Sequence, residues 1–188
     1  MDCHQANLRG EGLFPQNVTY ILYLYHCIIA AIVCHHIIEV GLEMPKSISS
    51  EYAIALSLEA DGVWQKMRQY GDLSWAMNAG IEEVQPVGAG IGMVRKVRMA
   101  GIPEWIHERL VAMDEDAMSF SYVIDGDGWP GLKDYVATAK VVPSEEGCRV
   151  RWLMHAKVED EGADEMQAGL DAMAEGIVTL FADQFDKE

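Results

Sequence analysis

Between Ser50 and Lys157 apolar and polar residues alternate in short runs, and the chain then closes on a stretch with apolar residues every three or four positions. The first period belongs to strands with one buried face, the second to an amphipathic helix. In Ser50–Leu58 the side chains of Tyr52, Ile54, Leu56 and Leu58 fall on one side, and Ala53, Ala55 and Ser57 on the other. Ala60–Gln69 carries Val63, Trp64 and Met67 at helical spacing and stops at Gly71. Asp72–Asn78 reads as a second short helix or turn bearing Trp75. Strands are predicted at Ile81–Val87, Gly92–Ala100, Pro103–Met113, Met118–Ile124, Asp134–Val142 and Cys148–Lys157. Turn residues separate them: Gly88-Ala-Gly90, Gly101, Asp114-Glu-Asp116, the run 125–131 and Ser144-Glu-Glu-Gly147. Ala163–Phe185 has apolar residues at Met166, Leu170, Met173, Ile177, Leu180 and Phe181, a long amphipathic helix. A strand, two short helices, six strands and a long helix make an α+β architecture, an antiparallel sheet of about seven strands with helices on one face.

The pattern also fixes a hairpin register. If Gly101-Ile102 is a two-residue turn with glycine first, Met99 faces Glu104, Val97 faces Ile106 and Arg95 faces Glu108. One face then holds Met93, Arg95, Val97, Met99, Ile106, Glu108, Leu110 and Ala112; the other holds Lys96, Arg98, Trp105, His107 and Arg109. The first is the more apolar and is expected to point inward. Arg95 and Glu108 would stand side by side within it. Desolvation can cancel the attraction of a buried ion pair, so such a pair says more about a site than about stability. Arg95 is a candidate donor to a ligand oxygen and Glu108 a candidate proton acceptor. The plainer reading is a cross-strand salt bridge with no ligand role.

The same parity carried across neighbouring strands places Phe120, Tyr122, Tyr135, Trp152 and Met154 inward, with Ala137 and Ala139 leaving room between them. Trp75, Val97 and Ile106 join this set, and Met166, Leu170 and Met173 face it from the helix. Aromatics with polar handles and adaptable methionines suit a pocket for an apolar molecule. Plain core packing is the competing reading for each of them. His107 and His155 fall on the outer face, and Cys148 has no neighbour that would activate it.

Composition changes the picture mainly at the amino end. Val18–Ile38 is 21 residues without a formal charge, long enough to span a bilayer, with Tyr20, Tyr23 and Tyr25 near one end. Three readings are open: a membrane anchor, an apolar helix packed on the body or on a partner, or a translated leader ahead of a start at Met44. The domain division is therefore an extension over 1–43 and a body over 44–188. His26, Cys27, Cys34, His35 and His36 are metal-ligand types, but they lie along one apolar stretch and lack the paired spacing of a zinc site. No metal and no cofactor is expected. Gly88, Gly90 and Gly92 precede an alternating strand and open no helix, which argues against a dinucleotide loop.

The net charge of −16 disfavours nucleic acid and anionic membrane surfaces. Glu159 to Glu188 contributes ten acidic residues against one lysine, Lys187, the pattern of a solvated helix face or of an acidic docking surface. Three of four cysteines lie in the first 34 residues, so the body has no disulfide framework and suits a reducing, cytoplasmic setting. Membrane attachment follows only if 18–38 is a true anchor. Oligomeric state is left open.

Several segments carry a resemblance: Val63-Trp64, Tyr70-Gly71-Asp72 with Trp75, Gly90-Ile-Gly92 before Val94-Arg95, Glu108-Arg109-Leu110 with Asp114, Ser121-Tyr122, Asp134-Tyr135-Val136-Ala137-Thr138 and Val150-Arg151-Trp152. In order and spacing the chain from about Ser47 to Phe185 resembles the SRPBCC or START-like superfamily of START domains, birch-pollen-allergen-like proteins and polyketide cyclase/dehydrases. The resemblance implies a helix-grip fold, a curved sheet gripping a long carboxy-terminal helix over a deep cavity. Val94-Arg95 and Trp105-Ile-His-Glu108 are similar to segments of plant lachrymatory-factor synthases. That likeness implies oxyanion contact for Arg95 and proton shuttling for Glu108, with Tyr122 and Tyr135 as pocket tyrosines. Three functions are compatible with these readings: a carrier of an apolar metabolite or lipid; a proton-transfer enzyme such as a cyclase, dehydratase or isomerase; and a regulatory interaction protein.

Overall fold

The computed structural model describes residues 45–126, 131–159 and 161–185. Seven strands are present: β1 Lys46–Leu56, β2 Ile81–Val87, β3 Val94–Met99, β4 Ile106–Asp114, β5 Ser119–Asp125, β6 Lys133–Ser144 and β7 Gly147–Val158. Helix α1 covers Ala60–Met67, a 3-10 helix Ser74–Ala79 and helix α2 Ala163–Asp183. All neighbouring strands are antiparallel, in the order β1-β7-β6-β5-β4-β3-β2. The helix-grip architecture expected from the sequence is the observed one, with α2 packed against β1, β7 and the 3-10 helix. The apolar segment 18–38 and the His/Cys group within it lie outside the described residues. No helix among the described residues is long and apolar enough to cross a membrane.

The sheet bends because its ladders slip. Register shifts interrupt β2/β3 at Ile81/Glu83, β4/β5 at Leu110/Ala112 and β6/β7 at Lys133/Val136, and such bulges add local twist and curvature. The β4 bulge corrects one expectation. Leu110 opposes Tyr122, but the next inward pair is Met113 with Phe120. Past the bulge the parity flips, so Ala112 is exposed and Met113 packs on the core.

Two other limits moved for stated reasons. β1 begins at Lys46, four residues ahead of the alternation, because β7 continues to pair with it as far as Val158. The hairpin register holds for Val97↔Ile106, Arg95↔Glu108 and the pairs between and beyond them, but the ladder ends at Val97↔Ile106. A two-residue turn would need a backbone donor at Pro103, which has none. The turn instead closes one residue earlier, with the Ile102 amide donating to the Met99 carbonyl at 3.1 Å and Gly101 at φ 81.

The core shows why alanines occupy the middle of β6. Ala137 lies between Tyr122 and Met154, and Ala139 between Phe120 and Trp152. The large rings lean over these small residues and meet, Phe120 on Trp152 at 5.9 Å and Tyr122 on Trp152 at 6.5 Å between centroids. The space above Ala137 and Ala139 is thus filled by aromatic packing.

Candidate ligand cavity

A cavity of about 280 Å³ lies beneath the second half of α2. Its wall is contributed by the 3-10 segment (Leu73, Trp75, Ala76), the sheet (Ile81, Arg95, Val97, Met99, Glu108, Tyr122, Ile124, Tyr135, Trp152) and α2 (Met173, Gly176, Ile177, Leu180). Two contacts tie α2 to neighbouring elements. The Trp75 ring meets Phe181 of α2 edge-on at 5.3 Å, and Gln167 of α2 donates to the Ser49 carbonyl of β1 at 2.9 Å.

Among the described residues Arg95 and Glu108 are its only charged wall residues. Arg95 is 3 % exposed. Its Nε and Nη2 both donate to Oε2 of Glu108, at 2.7 and 2.6 Å, and Nη1 donates to the Tyr70 carbonyl at 2.8 Å. The guanidinium carbon stands 4.3 Å from the Tyr70 ring centroid and 5.3 Å from that of Tyr122. A desolvated cation over aromatic faces is stabilised by about 2 kcal/mol. Burial, the largest single influence, opposes the Arg95 charge, but Glu108 together with Tyr70 and Tyr122 outweighs it and holds the guanidinium above its ordinary pKa. Glu108 Oε1 makes no hydrogen bond among the described residues. One carboxylate oxygen is therefore fixed by Arg95 and the other is unpartnered.

The tyrosines beside this pair are neutral donors. Burial, with Glu108 adding to it, pushes the Tyr122 hydroxyl up to about 12, and burial raises Tyr70 and Tyr135 further. The Tyr122 and Tyr135 hydroxyls interact, while the indole nitrogen of Trp152, close to the Tyr122 hydroxyl, is buried without a hydrogen-bond partner. A consequence for stability follows by linkage. These phenols keep their protons in the folded state where an unfolded chain would release them above about pH 10. The tyrosine contribution to stability is therefore expected to be constant below about pH 9 and to fall as the pH rises above about 10. The check is urea unfolding across that range with phenolate absorbance as a second probe. Phenolate signal from these three tyrosines ahead of unfolding would contradict the burial argument.

A family model described as polyketide cyclase / dehydrase and lipid transport matches residues 47–187. The chain belongs to this family. Solved structures of the same fold include norcoclaurine synthase from Thalictrum flavum, a point mutant in complex with a transition-state analogue, at 18% identity and a TM-score of 0.60 over 75% of this chain and 98% of that one. A protein from Nitrosospira multiformis gives 20% and 0.59 over 73% and 95%. Ara h 8.0201 gives 16% and 0.62 over 76% and 100%. Identities this low carry the fold alone.

In this polyketide cyclase / dehydrase and lipid transport family member, eight of the residues singled out from sequence share the cavity: Arg95, Glu108, Trp75, Val97, Tyr122, Tyr135, Trp152 and Met173. Five others lie behind its wall. Ile106 packs with Leu73 and Val97, Phe120 with Tyr70 and Trp152, and Met154 is fully buried opposite Ala137. Leu170 and Met166 belong to the first half of α2; Leu170 is 2 % exposed in the core, and Met166 lies close to Gly131. Parity points all of these inward and cannot separate wall from filling. Met99, Ile124, Ile177 and Leu180 carry the same inward signal but were not singled out. Tyr70 holds Arg95 from behind, and only the family resemblance marked it.

Proposed function

We propose that the protein binds a compact apolar small molecule whose polar group is held at Arg95 and Glu108. The observation that carries this reading is the make-up of the wall, apolar except for one paired charge and a few hydroxyl and indole donors. Apolar pockets with a few convergent polar groups are the common form of small-molecule sites. The volume of about 280 Å³ lies just below the ~300–1,000 Å³ range of such sites, which favours one or two rings over a long acyl chain.

A catalytic version is favoured by one feature, the unpartnered Oε1 of Glu108. A carboxylate of the cavity wall with one oxygen fixed by an arginine, and no partner for the other among the described residues, would take a proton from a bound carbonyl compound. Arg95 and the Tyr122 hydroxyl would then stabilise the oxyanion that develops. The same fold hosts a synthase among its solved structures, norcoclaurine synthase.

Native mass spectrometry of the purified chain is expected to show an adduct of a small apolar compound that disappears on denaturation. With neither an adduct nor saturable binding of 2-naphthol, the binding reading fails. Glu108→Gln separates carrier from enzyme. If wild type exchanges the α-protons of bound 1-tetralone with D2O and Glu108→Gln does not, while still binding it, Glu108 acts as a base. Binding without exchange in either protein leaves a carrier.

A further inference from the structure

The cavity face of α2 runs Met173, Gly176, Ile177, Leu180, and one of these four is a glycine in the interior of a 21-residue helix. An interior helical glycine costs about 1 kcal/mol relative to alanine. The ordinary structural reason for accepting that cost is close approach of a neighbouring element. Among the described residues none is seen: beyond its chain neighbours and the helix's own backbone, a Cβ built on Gly176 would meet no heavy atom within 4 Å. On the helical period Gly176 lies at the edge of the cavity-lining arc, on the side away from the buried stripe of Leu170, Ala174, Val178 and Phe181. The core therefore has no need of a glycine at this position, whereas the cavity gains open wall from the missing side chain. Gly169, the other interior glycine of α2, is exposed and does not line the cavity.

We infer that Gly176 is a specificity-determining residue, keeping the α2 wall open so that a two-ring ligand fits where any side chain would restrict the site to a smaller one. The inference rests on the small-molecule reading above and deepens it. Stability and binding should move in opposite directions on substitution. Alanine and leucine both favour helix over glycine, so Gly176→Ala and Gly176→Leu are expected to melt no lower than wild type. A substitution that merely damaged the fold would lower both stability and binding.

The probes are phenol and 2-naphthol, which share a hydroxyl and differ by one ring, titrated by calorimetry into the full chain. Wild type should bind 2-naphthol more tightly than phenol. Gly176→Leu should weaken 2-naphthol by about tenfold or more and leave phenol within about twofold. Gly176→Ala should give a smaller loss of the same sign. Unchanged 2-naphthol affinity in both variants overturns the inference while leaving the binding reading intact. Equal losses for phenol and 2-naphthol also overturn it, since the position would then disturb the site without selecting for size. Absence of binding of either phenol to wild type removes the underlying reading and the inference with it.

Discussion

Replacing Glu108 by alanine is expected to destabilise the protein by about 3–5 kcal/mol, read as a loss of urea midpoint at constant slope. The variant strands Arg95 as a buried cation with only the Tyr70 carbonyl and two tyrosine faces for company. Arginine cannot escape by giving up its proton. The reverse change, Arg95→Met, is expected to cost less, because the Glu108 side chain is 15 % exposed and keeps some contact with water, whereas that of Arg95 is 4 % exposed. Glu108→Gln should fall between wild type and Glu108→Ala, since an amide oxygen still accepts from the guanidinium. The double variant Arg95→Met/Glu108→Leu should recover most of the loss, as apolar replacement of a whole buried pair is often neutral or stabilising. Strictly additive single and double effects would show that the two residues are not coupled. The double variant should also lose any preference for a ligand's polar group while remaining folded, which separates the pair's contribution to binding from its contribution to stability.

Gly147→Ala should cost about 3 kcal/mol or more, for a reason that lies in the backbone. Gly147 opens β7 at φ 134, and a Cβ there would run into the carbonyl oxygen of Leu56, with the Leu58 amide nitrogen at 2.8 Å and the Ser57 Cα at 2.9 Å. These are backbone atoms at the end of β1, so no side-chain rotation relieves the clash. Gly80→Ala serves as the control. Gly80 has a positive φ of 88, but a Cβ there meets nothing within 4 Å, so only the left-handed backbone cost of about 1 kcal/mol is expected. Equal melting temperatures for the two variants would refute the steric account.

Both sites show how far a pattern reaches. Ser144-Glu-Glu-Gly147 is legible as a turn, but the passage of Leu56–Leu58 over it is a contact between residues some ninety positions apart. The Arg95–Glu108 pairing was legible because a hairpin is local and its parity has a single solution. The closing turn forms one residue ahead of the Gly101-Ile102 position, because Pro103 lacks the amide that a two-residue turn would need. The β4 bulge was not legible at all. No residue type marks it, and it turned Ala112 outward and Met113 inward.

The cavity itself was only partly legible, and the reason is geometric. Periodicity tells which face of an element is buried, and on that evidence Met173 and Leu170 look alike, as do Tyr122 and Phe120. What separates wall from core is where α2 lies over a bent sheet. Its first half fills the space and its second half leaves a gap. The Arg95–Glu108 pair has a definite surrounding, with one carboxylate oxygen held, the other without a partner among the described residues, and two tyrosine rings around the cation. The sequence by itself determined the strands, the long helix, the fold class and the partnership of Arg95 with Glu108, because all of these follow from local periodicity. Only the tertiary structure decided which inward residues meet empty space, because a cavity is a volume left between distant elements and no local pattern encodes it.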